Sequence, residues 1–154
     1  MRIVVLSDSH RARSTLFKII EQHMENTDLF IFLGDGERDF DEVLTLYPNL
    51  KYERVSGNCD FYSDYPAYKE IIFSGKRIFF SHGHPFYVKF GYDKIIAEAR
   101  RRQVDICLFG HTHIQYNHYD DGLYIMNPGS VASGEYGMID IVKEGIMLIP
   151  CKLR

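Results

Sequence analysis

Five times along this chain an apolar run ends in a short polar cluster of residues able to hold a metal ion. The clusters are VVLSDSH with Asp8 and His10, FIFLGD with Asp35, ERVSGN with Asn58, IFFSHGH with His82 and His84, and CLFGHTH with His111 and His113. Five of the seven histidines fall in them, so metal-capable side chains are concentrated where strands should end. Carboxylate, imidazole and amide donors together suit divalent transition ions such as manganese, iron, zinc, nickel or cobalt, whereas calcium prefers oxygen alone. In extended backbone, residues i and i+2 project to one side, so Asp8/His10, His82/His84 and His111/His113 are each expected to aim both members at one place. Gly34, Gly57, Gly83 and Gly110 adjoin these residues, as tight turns or close backbone approach require.

Singly, each cluster has a bland reading. HxH and DxH are commonly hydrogen-bonded turns, Gly34-Asp35 is an ordinary turn, and Gly57-Asn58 reads as a hairpin signal. Jointly they do not, because a core edge carrying this many polar groups would have to satisfy all of them. Ligand sites of α/β sheets lie outside the carboxyl ends of strands, and five strand-end clusters converging there make one site.

The elements that must position these residues are legible in the periodicity. Ile3–Leu6, Leu29–Leu33, Ile78–Phe80 and Ile106–Phe109 are apolar on both faces, as strands covered on two sides are. Helices are expected over Ser14–Glu25, with Leu16, Ile20 and Met24 on one face and Ser14 as N-cap, over Glu37–Tyr47 before Pro48, and over Tyr92–Arg102 with Ile95, Ile96 and Ala99 inward. Ile71–Phe80, broken by Ser74-Gly75-Lys76, reads as a hairpin. So do the short runs Gln115–His118, Leu123–Met126, Met138–Val142 and Gly145–Ile149, which are separated by DG, NPG and KEG turns. The pattern predicts two sheets face to face with helices outside.

A chain of 154 residues, 45% hydrophobic and 25% charged, fits one globular domain over residues 1–154. The four-residue apolar run near the N-terminus is too short for a signal-peptide core or a membrane span, so a cytoplasmic protein is expected. Cys59, Cys107 and Cys151 form no CxxC pair, which argues against a disulfide framework or zinc-finger cage. A net charge of -3 without a basic tract offers no clear nucleic-acid surface, and no GxxxxGK[ST] loop supports a nucleotide triphosphatase.

In this order, DSH, GDGERD, GNCD, SHGH and GHTH resemble the signature of the calcineurin-like metallophosphoesterase superfamily, and the short chain resembles its small phosphodiesterase branch. The match runs from Asp8 to about Ser130, where Asn127-Pro128-Gly129-Ser130 also resembles a family turn. The resemblance implies an α/β fold, a four-layer α/β/β/α sandwich of two mixed sheets flanked by helices. It implies two divalent transition metal ions, manganese foremost, with nickel, iron, zinc or cobalt as alternatives. Asp8, His10, Asp35 and His113 would hold one ion and Asp35, Asn58, His82 and His111 the other, with Asp35 bridging and a bridging hydroxide attacking a small phosphate ester. His84 is left facing substrate, as a contact or proton-handling group, and Pro85 should keep it extended.

Many members carry a histidine directly after the metal-binding asparagine, where this chain has Cys59. A thiol is a poorer general acid, so the expected preference is for diesters with good leaving groups unless His84 supplies the proton. Phosphomonoester or nucleotide phosphatase activity is the alternative within enzymes. A non-catalytic protein-binding scaffold of the same fold, like the retromer subunit that resembles this family, is the alternative outside them. Three further features have two readings each. Asp39 and Asp60 either orient histidine rings or serve a helix or turn. Arg100-Arg101-Arg102 complements a helix dipole or, less readily, binds phosphate, and Arg11 and Arg13 reach a phosphate or are solvated. Phe61, Tyr62, Tyr65 and Tyr68 line a substrate pocket or a homo-oligomer interface, or simply pack.

Overall fold

The computed structural model describes residues 1–154. Strand β1 (Arg2–Leu6) leads into helix α1 (Arg13–His23), then β2 (Leu29–Phe32), α2 (Glu37–Leu46) and β3 (Tyr52–Arg54). A hairpin of β4 (Tyr68–Phe73) and β5 (Lys76–Ser81) follows, then α3 (Asp93–Arg102) and β6 (Ile106–Leu108). The chain closes with β7 (Tyr116–Asp120), β8 (Leu123–Asn127), β9 (Glu135–Val142) and β10 (Gly145–Lys152). One sheet has the order β10-β9-β1-β2-β3 and the other β4-β5-β6-β8-β7.

Side-chain alternation builds the layers. Ile3 and Val5 of β1 and Ile31 of β2 meet Ile78, Phe80, Ile106 and Leu108 of the second sheet in an inter-sheet core. Their neighbours Val4, Leu6, Phe30 and Phe32 turn the other way, onto Leu16, Ile19 and Ile20 of α1 and Phe40 and Val43 of α2. On the far side, Phe79, Cys107 and Ile125 pack beneath Ile95 and Ala99 of α3. Because a strand's side chains alternate faces, both faces of each sheet are covered, which gives the expected four layers.

The hairpin turns obey their residues. Ser74-Gly75 and Asp121-Gly122 both hold paired positive φ values, 51° and 74°, and 41° and 81°, as the two-residue turns of twisted hairpins require. The two expected C-terminal hairpins form and divide between the sheets: β9-β10 joins the first beside β1, and β7-β8 joins the second beside β6. Two details of α1 need correction. Ser14 does not cap α1, because the Ala12 N–H donates to Ser9 O and winds the chain early, so the helix starts at Arg13 with Ser14 already inside it. Met24 lies beyond the helix in a 3₁₀ turn, and Ile19 replaces it on the buried face.

Candidate metal centre

Strands β1, β2 and β3 run parallel in the first sheet, and β5, β6 and β8 in the second. Their carboxyl ends deliver Asp8 and His10, Asp35, Asn58, His82, His111 and Asn127 to one edge of the sandwich. Cross-sheet hydrogen bonds stitch that edge. The His111 N–H donates to Asp8 Oδ2 at 3.1 Å, and Ser130 Oγ to Asp8 O at 2.8 Å. Within each sheet the Asp8 N–H donates to Gly34 O at 3.0 Å and the Gly110 N–H to His82 O at 2.9 Å.

Two triads of donor atoms result, Asp8/His10/His113 and Asp35/His82/His111, each with its donors within 4.8 Å of one another. In the first, Asp8 Oδ1 lies 3.0 Å from His113 Nε2 and 3.4 Å from His10 Nε2. In the second, Asp35 Oδ2 lies 3.3 Å from His82 Nε2, and His82 Nε2 stands 3.1 Å from His111 Nδ1. The triads touch: Asp35 Oδ2 is 3.7 Å from His10 Nε2, and Asp8 Oδ1 is 3.8 Å from His82 Nε2. Asp35 sits between the two halves and also belongs to a third donor group, with His10 and Cys59.

The donor set fits a cation. His10 and His113 face each other through Nε2 atoms 3.2 Å apart, and His82 and His111 oppose ring nitrogens in the same way. Neutral imidazoles facing each other can satisfy each other only if one donates, whereas a cation lets nitrogens and carboxylate oxygens all act as donors of electron pairs at once. His82 Nδ1 is 2.9 Å from Leu33 O, and donation there leaves Nε2 as the free lone pair. Strain points the same way: Asp8, His10, Asp35, His111 and His113 all adopt positive φ, between 43° and 70°. Such non-glycine conformations cost on the order of 1–3 kcal/mol each and gather at functional sites.

Those φ values also correct the geometric argument for the residue pairs. The Asp8/His10 and His111/His113 pairs lie in left-handed turns, not in extended strands, and His111 and His113 serve different triads. His84 likewise opens a 3₁₀ turn (His84–Phe86) instead of staying extended, because Gly83 at φ 112° and buried Val88 fold the segment back. Its ring centroid lies 5.5 Å from that of His82 and 6.1 Å from that of His111, and its Nδ1 is buried without a partner. Asn58 stands at the rim, its Nδ2 3.4 Å from Cys59 Sγ.

Charge distributes unevenly here. Burial pushes the Asp35 carboxyl up, but His82 and the Cys59 N–H, 2.8 Å from Oδ1, outweigh it and hold the group well below the usual carboxylate range. Burial pushes His82 down, yet Asp35 and then Asp8 raise it overall. Burial, then the charges of His82 and Lys89, push His111 down to about 4. Burial, followed by Asp35 and Asp60, lifts the Cys59 thiol above its ordinary value.

Two carboxylates left ambiguous by the sequence prove to be loop clamps, not histidine partners. Asp60 accepts the N–H groups of Asp35, Gly36, Glu37 and Gly57 at 2.8–3.0 Å. Buried Asp39 accepts Ser9 Oγ at 2.5 Å and the Arg11 N–H at 2.9 Å. The sequence reading missed Asn127, whose Nδ2 donates to Gly110 O and Thr112 Oγ1 and so holds the His111 turn; its place in the NPGS segment was the available signal. Arg13 pairs with Glu42, and all three arginines ending α3 are engaged by Glu98, Glu70 or Asp120, so none of the four is free for phosphate. Tyr65 lies under Arg54 and Tyr68 packs on Phe79, while Phe61 and Tyr62 project outward.

The tightest backbone approach beneath the site is at Gly34. Its φ is 100°, and a Cβ there would stand 2.3 Å from Gly57 N. Gly34→Ala is therefore expected to destabilise the fold by about 2 kcal/mol or more and to lower metal affinity with it. Denaturant melts and metal titration check this; a variant as stable as wild type would contradict the packing account.

The chain matches the Calcineurin-like phosphoesterase superfamily domain over residues 1–142. It belongs to that superfamily. A probable metallophosphoesterase of Bacillus subtilis (strain 168), YsnB, is 32% identical over 132 residues, 85% of this chain and 75% of that protein. Phosphodiesterase YfcE of Escherichia coli (strain K12) is 30% identical over 100 residues, 56% of this chain and half of its own. Among solved structures, a predicted phosphoesterase of Streptococcus pneumoniae TIGR4 superposes with a TM-score of 0.84 at 24% identity, covering 98% of this chain and 88% of the other. Wild-type Vps29 of Entamoeba histolytica, solved with zinc, gives 0.76 at 19% identity over 99% of both chains. The last two show the shared fold, and superfamily membership makes this chain a metal-dependent phosphoesterase.

Proposed function

We propose that this protein is a phosphodiesterase that works with two divalent transition metal ions held by Asp8, His10, Asp35, Asn58, His82, His111 and His113. The observation that carries the proposal is the pair of donor triads sharing an edge at Asp35, whose Oδ2 lies 3.3 Å from His82 and 3.7 Å from His10. When bound, two such ions supply Lewis acidity, which lowers the pKa of water and neutralises charge on phosphoryl oxygens. The chain does the rest. Asp8 and Asp35 supply negative charge at the two halves, and the Leu33 carbonyl fixes which His82 nitrogen points at the site. His84, with Nδ1 buried, presents Nε2 to substrate. Burial, then His82, pushes its imidazole below the usual range, so at neutral pH it is a neutral hydrogen-bond donor for a phosphoryl or leaving-group oxygen.

Diesters are favoured over monoesters because the site is open: His113 has 47% of its side chain accessible and His10 33%, leaving room for two substituents on phosphorus. A relative named as a phosphodiesterase supports the same preference. The scaffold reading, which the Vps29 likeness raises, has no use for opposed imidazoles and five strained donor residues. The test is a panel of metal ions against matched aryl phosphate monoesters and diesters, run on metal-stripped protein. Faster turnover of the diester with a transition ion is expected, and turnover of the monoester alone would overturn the preference.

The hydrogen bond that His84 offers the leaving group has its own expected outcome. His84→Ala should depress turnover of alkyl diesters by up to about 100-fold while sparing aryl diesters, whose leaving groups depart without assistance. An unchanged aryl-to-alkyl ratio at equal metal content would remove His84 from that role. Cys59→His measures the same ratio from the other side and should improve alkyl diesters selectively.

The His82–Asp35 pair also sets a pH dependence. In the ion-free protein, His82 is raised above 6.5, so its contribution to stability is present below that pH and lost as pH rises through its folded value. Asp35 is depressed below 3.8, so its contribution is present above that pH and lost as pH falls toward its folded value. Metal needs the His82 nitrogen that the proton occupies, so affinity should climb as pH rises past 6.5. Activity should have an acid limb that moves to lower pH when metal is raised a hundredfold. A limb that stays in place would assign it to another group.

A further inference from the structure

The segment that follows His84 builds a cleft that the reaction above does not use. Two 3₁₀ turns, His84–Phe86 and Val88–Phe90, meet at Tyr87, whose φ of 53° is a strained conformation for a bulky side chain. Between β5 and α3 they line a cavity of about 260 Å³, walled by Phe86, Tyr87, Phe90 and Lys94. Phe86 packs edge-on against Phe79 and Tyr68, with centroids 5.8 and 6.2 Å away, and Lys94 Nζ lies 4.3 Å from the Tyr87 centroid. Phe90 is 91% exposed and Tyr87 58%, so neither ring serves the core.

The cleft lies beside the metal centre. The Tyr87 N–H donates to His84 O at 3.2 Å, so Tyr87 stands one turn from His84, about 6 Å along the axis at the 3₁₀ rise. Buried Val88 fixes that placement: a Cβ on Gly83 would stand 2.7 Å from Val88 Cγ2 and 3.5 Å from Gly110 O, so Val88 sits against the turns that carry His82 and His111. After burial and His82, the Lys89 ammonium pushes the His111 imidazole down, which sets that cation beside the second triad. An anion held at the centre therefore has a cation next to it and aromatic walls one turn further on. The volume falls just under the roughly 300 Å³ at which pockets for whole small ligands begin, so the cleft suits one substituent of a ligand.

We infer that this cleft is the subsite for one substituent of the phosphate ester and that it takes a planar aromatic ring, stacked on Tyr87 and Phe90. This rests on the phosphodiesterase reading above and names part of its substrate. Aromatic faces attract flat π-systems beyond the area they bury, whether the ring is an aryl group or a nucleobase. Tyr87 and Phe90 are thus specificity-determining residues, and the cations Lys89 and Lys94 suit the anionic phosphate that carries the ring.

The experiment is calorimetric binding to manganese-loaded protein, which reads affinity without turnover. The probes are methylphosphonate, cyclohexylphosphonate and phenylphosphonate, with thymidine 5′-phosphate set against deoxyribose 5-phosphate as the nucleobase arm. A ring is expected to tighten binding about tenfold, phenyl over methyl or nucleobase over bare sugar, with phenyl at least about threefold tighter than cyclohexyl. That gain should collapse in Tyr87→Asn and in Phe90→Ala and persist in Phe61→Ala, an exposed aromatic on another loop. Asparagine accepts left-handed backbone, so Tyr87→Asn removes the ring and keeps the turn. A gain in the phenyl arm alone identifies an aryl substituent and a gain in the thymidine arm alone a nucleobase; both support the subsite. No gain in either arm, a cyclohexyl group as good as phenyl without a nucleobase gain, or a gain that survives both substitutions overturns the inference and leaves the metal centre standing. Protein that takes up no metal, or that binds none of these probes once loaded, overturns both readings. Circular dichroism of each variant confirms that a lost gain is not lost folding.

Discussion

Asp35→Asn should abolish hydrolysis and weaken both metal sites together, whereas Asp8→Asn should damage chiefly one. Asp35 belongs to two of the three donor groups at this edge and Asp8 to one. The amide keeps the size of the carboxylate but removes the negative charge that lies between His10 and His82. Losing a group that merely orients a ligand typically costs 10–100-fold in affinity or activity, so a shared ligand should cost more than about 100-fold. Elemental analysis of purified variants reads the result. Two ions retained at full occupancy in Asp35→Asn would refute its position between the sites. The 3.8 Å approach of Asp8 to His82 sets a second comparison: if Asp8→Asn empties both sites equally, Asp8 shares the bridging role.

The second large effect is expected at a residue that touches no histidine. Asp60 accepts four backbone N–H groups from the Asp35 turn, the start of α2 and Gly57. Hydrogen bonds to a charged acceptor contribute roughly 1.5–3 kcal/mol each, and removing the acceptor leaves donors unsatisfied, some of them buried. Asp60→Ala should therefore destabilise the protein by about 3 kcal/mol or more and lower metal affinity, since Asp35 and Asn58 both hang from this clamp. Asp60→Asn, which keeps one carbonyl oxygen, should fall between alanine and wild type. Denaturant midpoints at unchanged slope provide the measurement. An Asp60→Ala variant within about 0.5 kcal/mol of wild type would show that the loop holds itself.

The fold was legible because its signals were redundant. Ile3–Leu6 and Leu29–Phe32 are apolar on both faces, and the structure uses both, one against the opposite sheet and one against α1 and α2. The sheet membership of β9 was not legible. A hairpin carries the same alternation whichever sheet it joins, and only the long-range pairing of β9 with β1 decides. At the centre, residue types and their order at strand ends singled out Asp8, His10, Asp35, His82, His111 and His113, whose donor atoms lie together, while Asn58 stands at the rim. The reason first given for the pairs was wrong, since sequence shows a spacing of two but not that Asp8, His10, His111 and His113 take left-handed backbone. Asp39 and Asp60 were ambiguous for a related reason. A carboxylate near ligands reads the same whether it faces a ring or a row of backbone N–H groups, and only the turn geometry separates the two.

The metal count is the most direct measurement of the central claim. Metal-stripped protein should bind two transition metal ions per chain in a calorimetric or elemental titration, and hydrolysis of an aryl phosphate diester should return as the two sites fill. Saturation at one ion would contradict the paired triads around Asp35, and full loading without any diester hydrolysis would contradict the phosphodiesterase reading built on them.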